Sequence, residues 1–257
     1  PLAIAYDPLL DEVVVVGQYN TRLIFDHDTL HPDSDPEFAR LYIARFASDG
    51  ECLWARYATR VGGLGLQIAL DPESNLHIIG NLGGTFQGSP GIEVPFGGCH
   101  AVYTAQGDLL SAETFLTAGM IGGSCLLPNG KFCIVIVTLS NTQLFGVPLE
   151  VFPGSGWTSA VAVTDLAGTV DWMFPMHAQG NGVSASLCES ANDGRMVFRG
   201  GFYGELYTPH DTIVGTQGSS TVFVASLDSL GELQWVRKLE SQNTVYVGEQ
   251  FDSDAIG

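Results

Sequence analysis

The chain has 257 residues and a formal net charge of −18, because 28 acidic residues stand against 10 basic ones. Such a charge repels a phosphate backbone, so nucleic acid is not an expected partner, and divalent cations or basic surfaces are more plausible ones. Solubility in a salty or extracellular setting is the alternative explanation of the charge. Hydrophobic residues make up 45% of the chain, enough to fill a core. No apolar stretch reaches the roughly 20 residues of a membrane-spanning helix, so no membrane span is expected.

Short apolar runs rich in β-branched residues, separated by polar turns, predict an all-β chain. One set of runs, each following a polar turn, covers residues 13–17, 76–80, 132–137 and 196–200. A second set follows after long variable loops, at residues 41–46, 101–104, 160–163 and 221–227. The Asn129-Gly130 and Asp193-Gly194 pairs are typical of tight hairpin turns, which need positive φ angles.

An internal repeat organises these runs. The pattern Gly-x-x-x-Trp occurs at residues 50–54, 168–172 and 231–235, and a degenerate copy at 107–111 ends in Ser111. A second landmark, Ile-Ala-x-Asp, occurs at residues 4–7 and again at 68–71. A period of about 60 residues with landmarks at constant offsets indicates a repeat architecture.

The repeats cover approximately residues 1–62, 63–120, 121–181 and 182–243, and residues 244–257 supply the first strand of a fifth. Each repeat holds four short antiparallel strands that read as apolar on both faces. Radial stacking of such sheets covers both faces, so we expect a β-propeller, either a single domain or part of a larger ring. A β-sandwich or barrel is the alternative, but it needs no fixed period.

The tryptophans separate into two kinds. Trp54, Trp172 and Trp235 recur at one place in the repeat, which predicts that they pack between neighbouring repeats. Trp157 lies outside the pattern, in the loop Pro153-Gly154-Ser155-Gly156-Trp157. It is the candidate ligand-binding residue, as an exposed platform for a sugar ring, and a packing role is its alternative.

An acidic segment at residues 26–37 is the candidate metal site. Its carboxylates, among them Asp26, Asp28, Asp33 and Asp35, alternate with small polar residues, a pattern that can wrap calcium. His31 adds a candidate ligand-binding side chain, and with His27 it would suit zinc instead. The spacing fits no known metal motif, so a solvated acidic loop is the alternative. No other cofactor is expected.

The remaining reactive side chains form no catalytic template. The six histidines are scattered: His77 reads as structural, whereas His100, His177 and His210 stand beside turns or loops and could line a face. The five cysteines include no C-x-x-C pair, and both buried thiols and disulfides stay open. The sequence therefore favours no particular reaction.

The repeat resembles that of the bacterial seven-bladed β-propeller repeat family. The matching residues are Ala5 with Asp7, Ala69 with Asp71, the strand-end glycines Gly17, Gly80 and Gly200, Asp49-Gly50 with Trp54, and Leu230-Gly231 with Trp235. The resemblance implies a secreted or surface-exposed bacterial protein and supplies no catalytic residues. Four repeats and one extra strand are fewer than seven, so further propeller repeats or domains of a longer chain are expected partners.

These observations predict a non-enzymatic recognition or scaffold module of a secreted or cell-surface bacterial protein. Loops gathered at one propeller face would bind carbohydrate or protein. The alternative is a hydrolase or lyase acting on an extracellular polymer, and a structural spacer is a third reading. An enzyme should bring acidic and histidine side chains from different repeats together around one cleft, a lectin-like module should repeat one pocket around the ring, and a spacer should show neither. The four long loops share little chemistry, which argues against repeated pockets.

Overall fold

A computed structural model describes residues 2–31, 39–62, 66–88, 90–116, 118–151, 155–178, 180–209, 211–216 and 220–239. Twenty-two β-strands and no helix occur in this part of the chain, which confirms the predicted all-β fold. The predicted fifth-repeat strand at 244–257 lies outside the described residues.

Sixteen of the strands form four antiparallel meanders of four strands each. The first meander contains β1 (Ala3–Asp7), β2 (Glu12–Tyr19), β5 (Arg40–Ala47) and β6 (Cys52–Val61). The second contains β7 (Gln67–Leu70), β8 (Leu76–Phe86), β9 (Ile92–Tyr103) and β10 (Leu109–Leu116). The third contains β11 (Met120–Leu126), β12 (Phe132–Thr138), β15 (Ser155–Thr164) and β16 (Val170–Ala178). The fourth contains β17 (Gly180–Ser190), β18 (Met196–Tyr203), β21 (Ser220–Leu227) and β22 (Leu233–Leu239).

The long loops between the second and third strands are more ordered than the sequence predicts. Three of them fold into short hairpins, formed by β3 (Leu23–Phe25) with β4 (Asp28–Leu30), β13 (Thr142–Leu144) with β14 (Val147–Leu149), and β19 (Glu205–Tyr207) with β20 (Thr212–Val214). In the second meander β8 and β9 themselves extend into this region. Three-residue strands of mixed polarity carry no periodic signal, which explains why the sequence analysis treated them as loops.

The chain divides into two compact units, residues 1–117 and 118–257. In the N-terminal unit, pairing of β6 with β8 joins the first two meanders into one curled sheet. In the C-terminal unit, β15 runs parallel to β17 and joins the third and fourth meanders. Each unit has its own apolar core between its meanders, with Val14, Ile43 and Ile78 in one and Val161, Phe198 and Phe223 in the other.

Two of the three repeated tryptophans, Trp54 and Trp172, dock on the following meander, as predicted, whereas no such contact of Trp235 occurs among the described residues. Trp54 Nε1 donates to the carbonyl of Ala105 at 2.8 Å, and Trp172 Nε1 donates to that of Ser229 at 3.2 Å. In each case the indole lies on a turn glycine, since a Cβ at Gly107 or Gly231 would come within 2.7 Å of the ring. The first and second meanders, and the third and fourth, are therefore joined by the same kind of contact.

Four glycine turns, two of which receive an indole, share one geometry. Each joins the third and fourth strands of a meander, and its glycine has a φ angle of 84° to 91°, a conformation that favours glycine. These glycines are Gly50, Gly107, Gly168 and Gly231. Gly168 meets a different ring, because its nearest neighbour is Phe145 from the β13–β14 hairpin of the same meander.

A buried arginine ties the first meander to the second. Arg45 on β5 is fully buried and forms ion pairs with Asp7 and Glu12. Its Nη1 atom also donates to the carbonyl of Ser74, at 3.1 Å, in the turn before β8. Burial alone would raise the pKa of Asp7, but hydrogen bonds from Ser74 and from the following backbone amides, together with Arg45, hold it below its usual value.

The described part of the chain contains no helix long and apolar enough to cross a membrane.

Candidate functional site

A groove of about 490 Å³ opens in the C-terminal unit, and it contains the tryptophan that the sequence analysis singled out. Trp157, 36% exposed, and Tyr203, 41% exposed, supply its two aromatic side chains. The remaining lining residues are small: Gly156, Gly182, Ser184, Gly201 and Ser220. The volume lies within the usual range for small-ligand sites.

Strand register brings these residues together from four strands. Trp157 on β15 is the parallel partner of Gly182 on β17. Ser184 on β17 is opposite Gly201 on β18, and Tyr203 at the end of β18 is opposite Ser220 on β21. All of these positions lie at the end of the meanders where the second and third strands are connected. The groove is therefore lined by the ends of several strands and not by a single loop.

The close approach of β17 to Trp157 requires a glycine. Gly182 has a φ of 80°, and a Cβ there would lie 2.1 Å from the backbone nitrogen of Trp157. Any larger residue would push the two strands apart. Gly182 thus holds the indole at the wall of the groove, a role that its sequence context does not reveal.

The groove offers hydrogen-bonding groups that the protein does not use. Within the described residues, the hydroxyl groups of Ser184, Tyr203 and Ser220 make no hydrogen bond. A hydroxyl group both donates and accepts hydrogen bonds, so three of them in a groove with two aromatic side chains suit a ligand with alternating C–H and O–H groups. The described lining contains no carboxyl, imidazole or thiol group.

A second groove, of about 470 Å³, lies in the N-terminal unit. Its lining includes Arg60, Glu93 and the half-exposed Phe96, with the hydroxyl groups of Thr59 and Thr85. The Thr59 hydroxyl is already engaged, because it accepts a hydrogen bond from the Thr85 amide at 2.8 Å. This groove has a single exposed aromatic side chain, so it provides a control site for binding experiments on the Trp157 groove.

The acidic segment has a structural use that its sequence did not suggest. The Asp26 carboxylate accepts a hydrogen bond from the Cys52 amide at 2.9 Å, and the Asp28 carboxylate accepts one from the Ala55 amide at 2.8 Å. These contacts fasten the β3–β4 hairpin to β6. His31 is exposed, whereas Asp33 and Asp35 lie outside the described residues. No group of three metal-ligating side chains occurs among the residues that are described, and calcium binding here stays a prediction.

Two histidines that looked scattered in sequence form a buried pair. His77 on β8 and His100 on β9 stack at 5.2 Å, with His77 Nδ1 and His100 Nε2 3.0 Å apart. His77 Nε2 lies 3.3 Å from the carboxylate of Asp71. The expectation that His100 stands beside a turn was wrong, because His100 lies inside β9 and pairs with Glu113. His177 stacks on Tyr207 at 5.1 Å, and His210 lies outside the described residues.

His100 makes the free energy of unfolding depend on pH. Burial, followed by the neighbouring His77, lowers the pKa of His100 to about 4. Between pH 6.5 and about 4, His100 therefore binds a proton in the unfolded chain but not in the folded chain. The free energy of unfolding falls as pH falls through that window. We expect His100 to account for a loss on the order of 3 kcal/mol.

Urea unfolding at pH 7, 5.5 and 4.5 measures this effect. His100→Gln keeps a donor for His77 but cannot be protonated, so its stability should fall less steeply than that of the unmodified protein. His27→Gln is the control, since the His27 side chain is 82% exposed and its loss should leave the slope unchanged. Equal slopes in all three proteins would contradict the role of His100.

The four cysteines whose side chains are described are buried free thiols. They are Cys52, Cys99, Cys125 and Cys133. Burial raises the pKa of Cys52 to about 11 and that of Cys99 to about 12, so neither is a reactive thiolate at neutral pH. The side chain of Cys188 lies outside the described residues.

No protein-family model matches the chain, and no curated protein matches it. Among solved structures, it is similar to the crystal structure of a protein of unknown function from Bacteroides caccae. The two are 11% identical, and the match covers 88% of this chain and 93% of the other at a TM-score of 0.30. A TM-score this low does not establish a shared fold. The family resemblance stays a prediction.

Proposed function

We propose that the chain is a carbohydrate-recognition module and that the Trp157 groove is its binding site. The observation that carries this proposal is that two exposed aromatic side chains, Trp157 and Tyr203, line one groove together with three glycines and with three hydroxyl groups that make no hydrogen bond among the described residues. A sugar ring offers an apolar C–H face to an aromatic side chain and hydroxyl groups at its rim, which matches that arrangement.

Recognition is favoured over hydrolysis at this groove. Cleavage of a glycosidic bond needs a general acid and a second carboxylate or a base within reach of the scissile bond. The described lining holds aromatic rings, hydroxyl groups and glycines only. A protein ligand is less well matched, because a specific protein interface buries about 1,200–2,000 Å² and would extend well beyond this groove.

The proposed scaffold is a β-propeller in which each meander is one blade. Two features support it: the same four-strand order recurs in all four meanders, and the same indole–turn contact joins the first to the second and the third to the fourth. Binding at one end of such blades fits the position of the groove. A secreted or cell-surface location, and membership of the bacterial propeller repeat family, belong to the same proposal.

Affinity electrophoresis tests the site. The purified protein is run through gels that contain a neutral β-glucan, xylan, mannan or galactan, and retardation identifies the polysaccharide that binds. Trp157→Ala should weaken that binding at least about tenfold, since a central aromatic anchor usually dominates binding energy. Tyr203→Phe, which keeps the ring but removes the hydroxyl, should weaken it by a smaller factor.

Phe96→Ala is the matched control, because it removes an exposed aromatic side chain from the second groove. Its binding should equal that of the unmodified protein. The proposal is overturned if no polysaccharide retards the protein, or if Trp157→Ala and Phe96→Ala are retarded equally.

A further inference from the structure

Two buried cysteines of the C-terminal unit lie directly opposite each other on neighbouring strands. Cys125 on β11 and Cys133 on β12 are partners in the antiparallel register, so their side chains point to the same face of the sheet. Both side chains belong to the core of this unit, where Cys125 is 6% exposed and Cys133 is fully buried. The structure has both as free thiols. Two thiols held side by side in this way are placed to form a disulfide.

The spacing of an antiparallel pair suits that bond. Residues directly opposite each other have Cα atoms about 4.5–5.5 Å apart, within the range of about 4.4–6.8 Å that disulfides span. Their Cβ atoms need to approach by about 1 Å at most. β11 can supply this movement, because among the described strands it pairs with β12 alone and carries a bulge between Ile121 and Gly123. The bond therefore needs no change of register.

A tight turn keeps the two cysteines opposite each other. The amide of Leu127 donates to the carbonyl of Lys131 at 2.8 Å, and the amide of Gly130 donates to the carbonyl of Leu127 at 2.9 Å. On its other side, β12 pairs along its whole length with β15. Because only residues 126–132 separate the cysteines, the thiols meet as soon as this local hairpin forms, while a small oxidant still has access to them.

No other two cysteines are opposite each other in the described strands. Cys52 on β6 is opposite Phe46, and Cys188 on β17 is opposite Phe198. Cys99 on β9 has a glycine opposite it on one neighbouring strand and a threonine on the other. Strand pairing thus selects a single pair from the five cysteines of the chain.

We propose that Cys125 and Cys133 form a disulfide when the protein folds in the presence of a small-molecule disulfide such as oxidised glutathione. The thiolate of one cysteine attacks glutathione disulfide, breaks its S–S bond and releases one glutathione thiolate. The thiolate of the second cysteine then attacks the mixed disulfide, which forms the S–S bond of the protein and releases the other glutathione. The two cysteine protons end on the two glutathione thiols, so the protein is oxidised and glutathione disulfide is reduced.

The bond fixes an edge strand that supports the fourth meander. β11 packs closely on β17, since a Cβ at Gly122 would lie 2.4 Å from the carbonyl oxygen of Ala185. The Ser190 hydroxyl also donates to the carbonyl of Leu126 at 2.7 Å. A cross-link lowers the conformational entropy of the unfolded chain, so the oxidised protein should melt roughly 5 °C above the reduced protein.

Refolding in a buffer of reduced and oxidised glutathione tests the proposal. When the remaining thiols are alkylated, the intact mass should show three free cysteines in place of five, because two have become linked. Trypsin cleaves after Lys131, so the fragment with Cys125 and the fragment with Cys133 should separate only after reduction. The double variant Cys99→Ala, Cys188→Ala removes the other cysteine from each fragment and should still give the linked pair.

Single variants supply the controls. Cys133→Ala should keep all of its thiols free, and its melting temperature should not depend on reductant. Cys52→Ala removes a buried cysteine outside the pair and should oxidise like the unmodified protein. The proposal is overturned by any of three results: five free thiols in the refolded unmodified protein, fragments of the double variant that separate without reductant, or a Cys133→Ala protein that still loses two thiols.

Discussion

Replacing Arg45 with methionine should lower the free energy of unfolding by about 3–5 kcal/mol, as expected when one partner of a buried ion pair is removed. The guanidinium group is fully buried and bonds to Asp7, Glu12 and the carbonyl of Ser74. Methionine fills most of the volume but leaves a buried carboxylate uncompensated. Urea unfolding at pH 7 measures the loss.

Two further variants and a change of pH separate charge from packing. Arg22→Met alters an exposed arginine and should change stability by less than about 0.5 kcal/mol. Adding Asp7→Asn and Glu12→Gln to Arg45→Met should recover part of the loss, because no unpaired charge then remains. Since the pKa of Asp7 is depressed, its stabilisation is present above the usual carboxyl pKa and is lost as pH falls. The Arg45→Met deficit should therefore shrink in acid, and a constant deficit would contradict the ionic explanation.

Trp54→Ala should cost about 3–5 kcal/mol, the usual range for truncating a large buried aromatic side chain. The indole is 5% exposed, stacks on Tyr103 at a centroid distance of 6.3 Å and bonds to Ala105 in the next meander. Its removal opens a cavity between two meanders and leaves the Ala105 carbonyl without its donor. Thermal or urea unfolding monitored by circular dichroism gives the value.

Trp157→Ala is the matched control, since it truncates the same type of side chain at an exposed site. Its cost should stay below about 1 kcal/mol. Trp54→Phe should fall between the two, because the ring still packs but the N–H donor is lost. Similar losses for Trp54→Ala and Trp157→Ala would show that the contact between meanders contributes little.

The strands that sequence predicted best are those whose own residues decide their conformation. The β-branched run at residues 132–137 corresponds to β12, which is buried throughout. For β9 the apolar run at 101–104 marked only the end of a strand that begins at Ile92, because Pro95, Gly97 and Gly98 interrupt the pattern. Pairing with β8 holds that irregular stretch in the sheet, and pairing between distant residues is not visible in a local pattern.

The candidate site was predictable only in part for the same reason. Trp157 could be predicted as a ligand-binding residue because it lies outside the repeat pattern, which is visible in the sequence itself. Tyr203, Ser184 and Ser220 are ordinary residues whose importance comes from strand register. Arg45 was missed because a basic residue inside the apolar run 41–46 gave no hint of partners 38 and 33 positions away, at Asp7 and Glu12.

The indole contacts have a consequence for cooperativity. Packed units unfold together over the stretch within which each one is coupled to its neighbour. Within residues 1–117 the indole of Trp54 couples the first meander to the second, and within residues 118–257 the indole of Trp172 couples the third meander to the fourth. Each pair of meanders is therefore expected to unfold as one cooperative block.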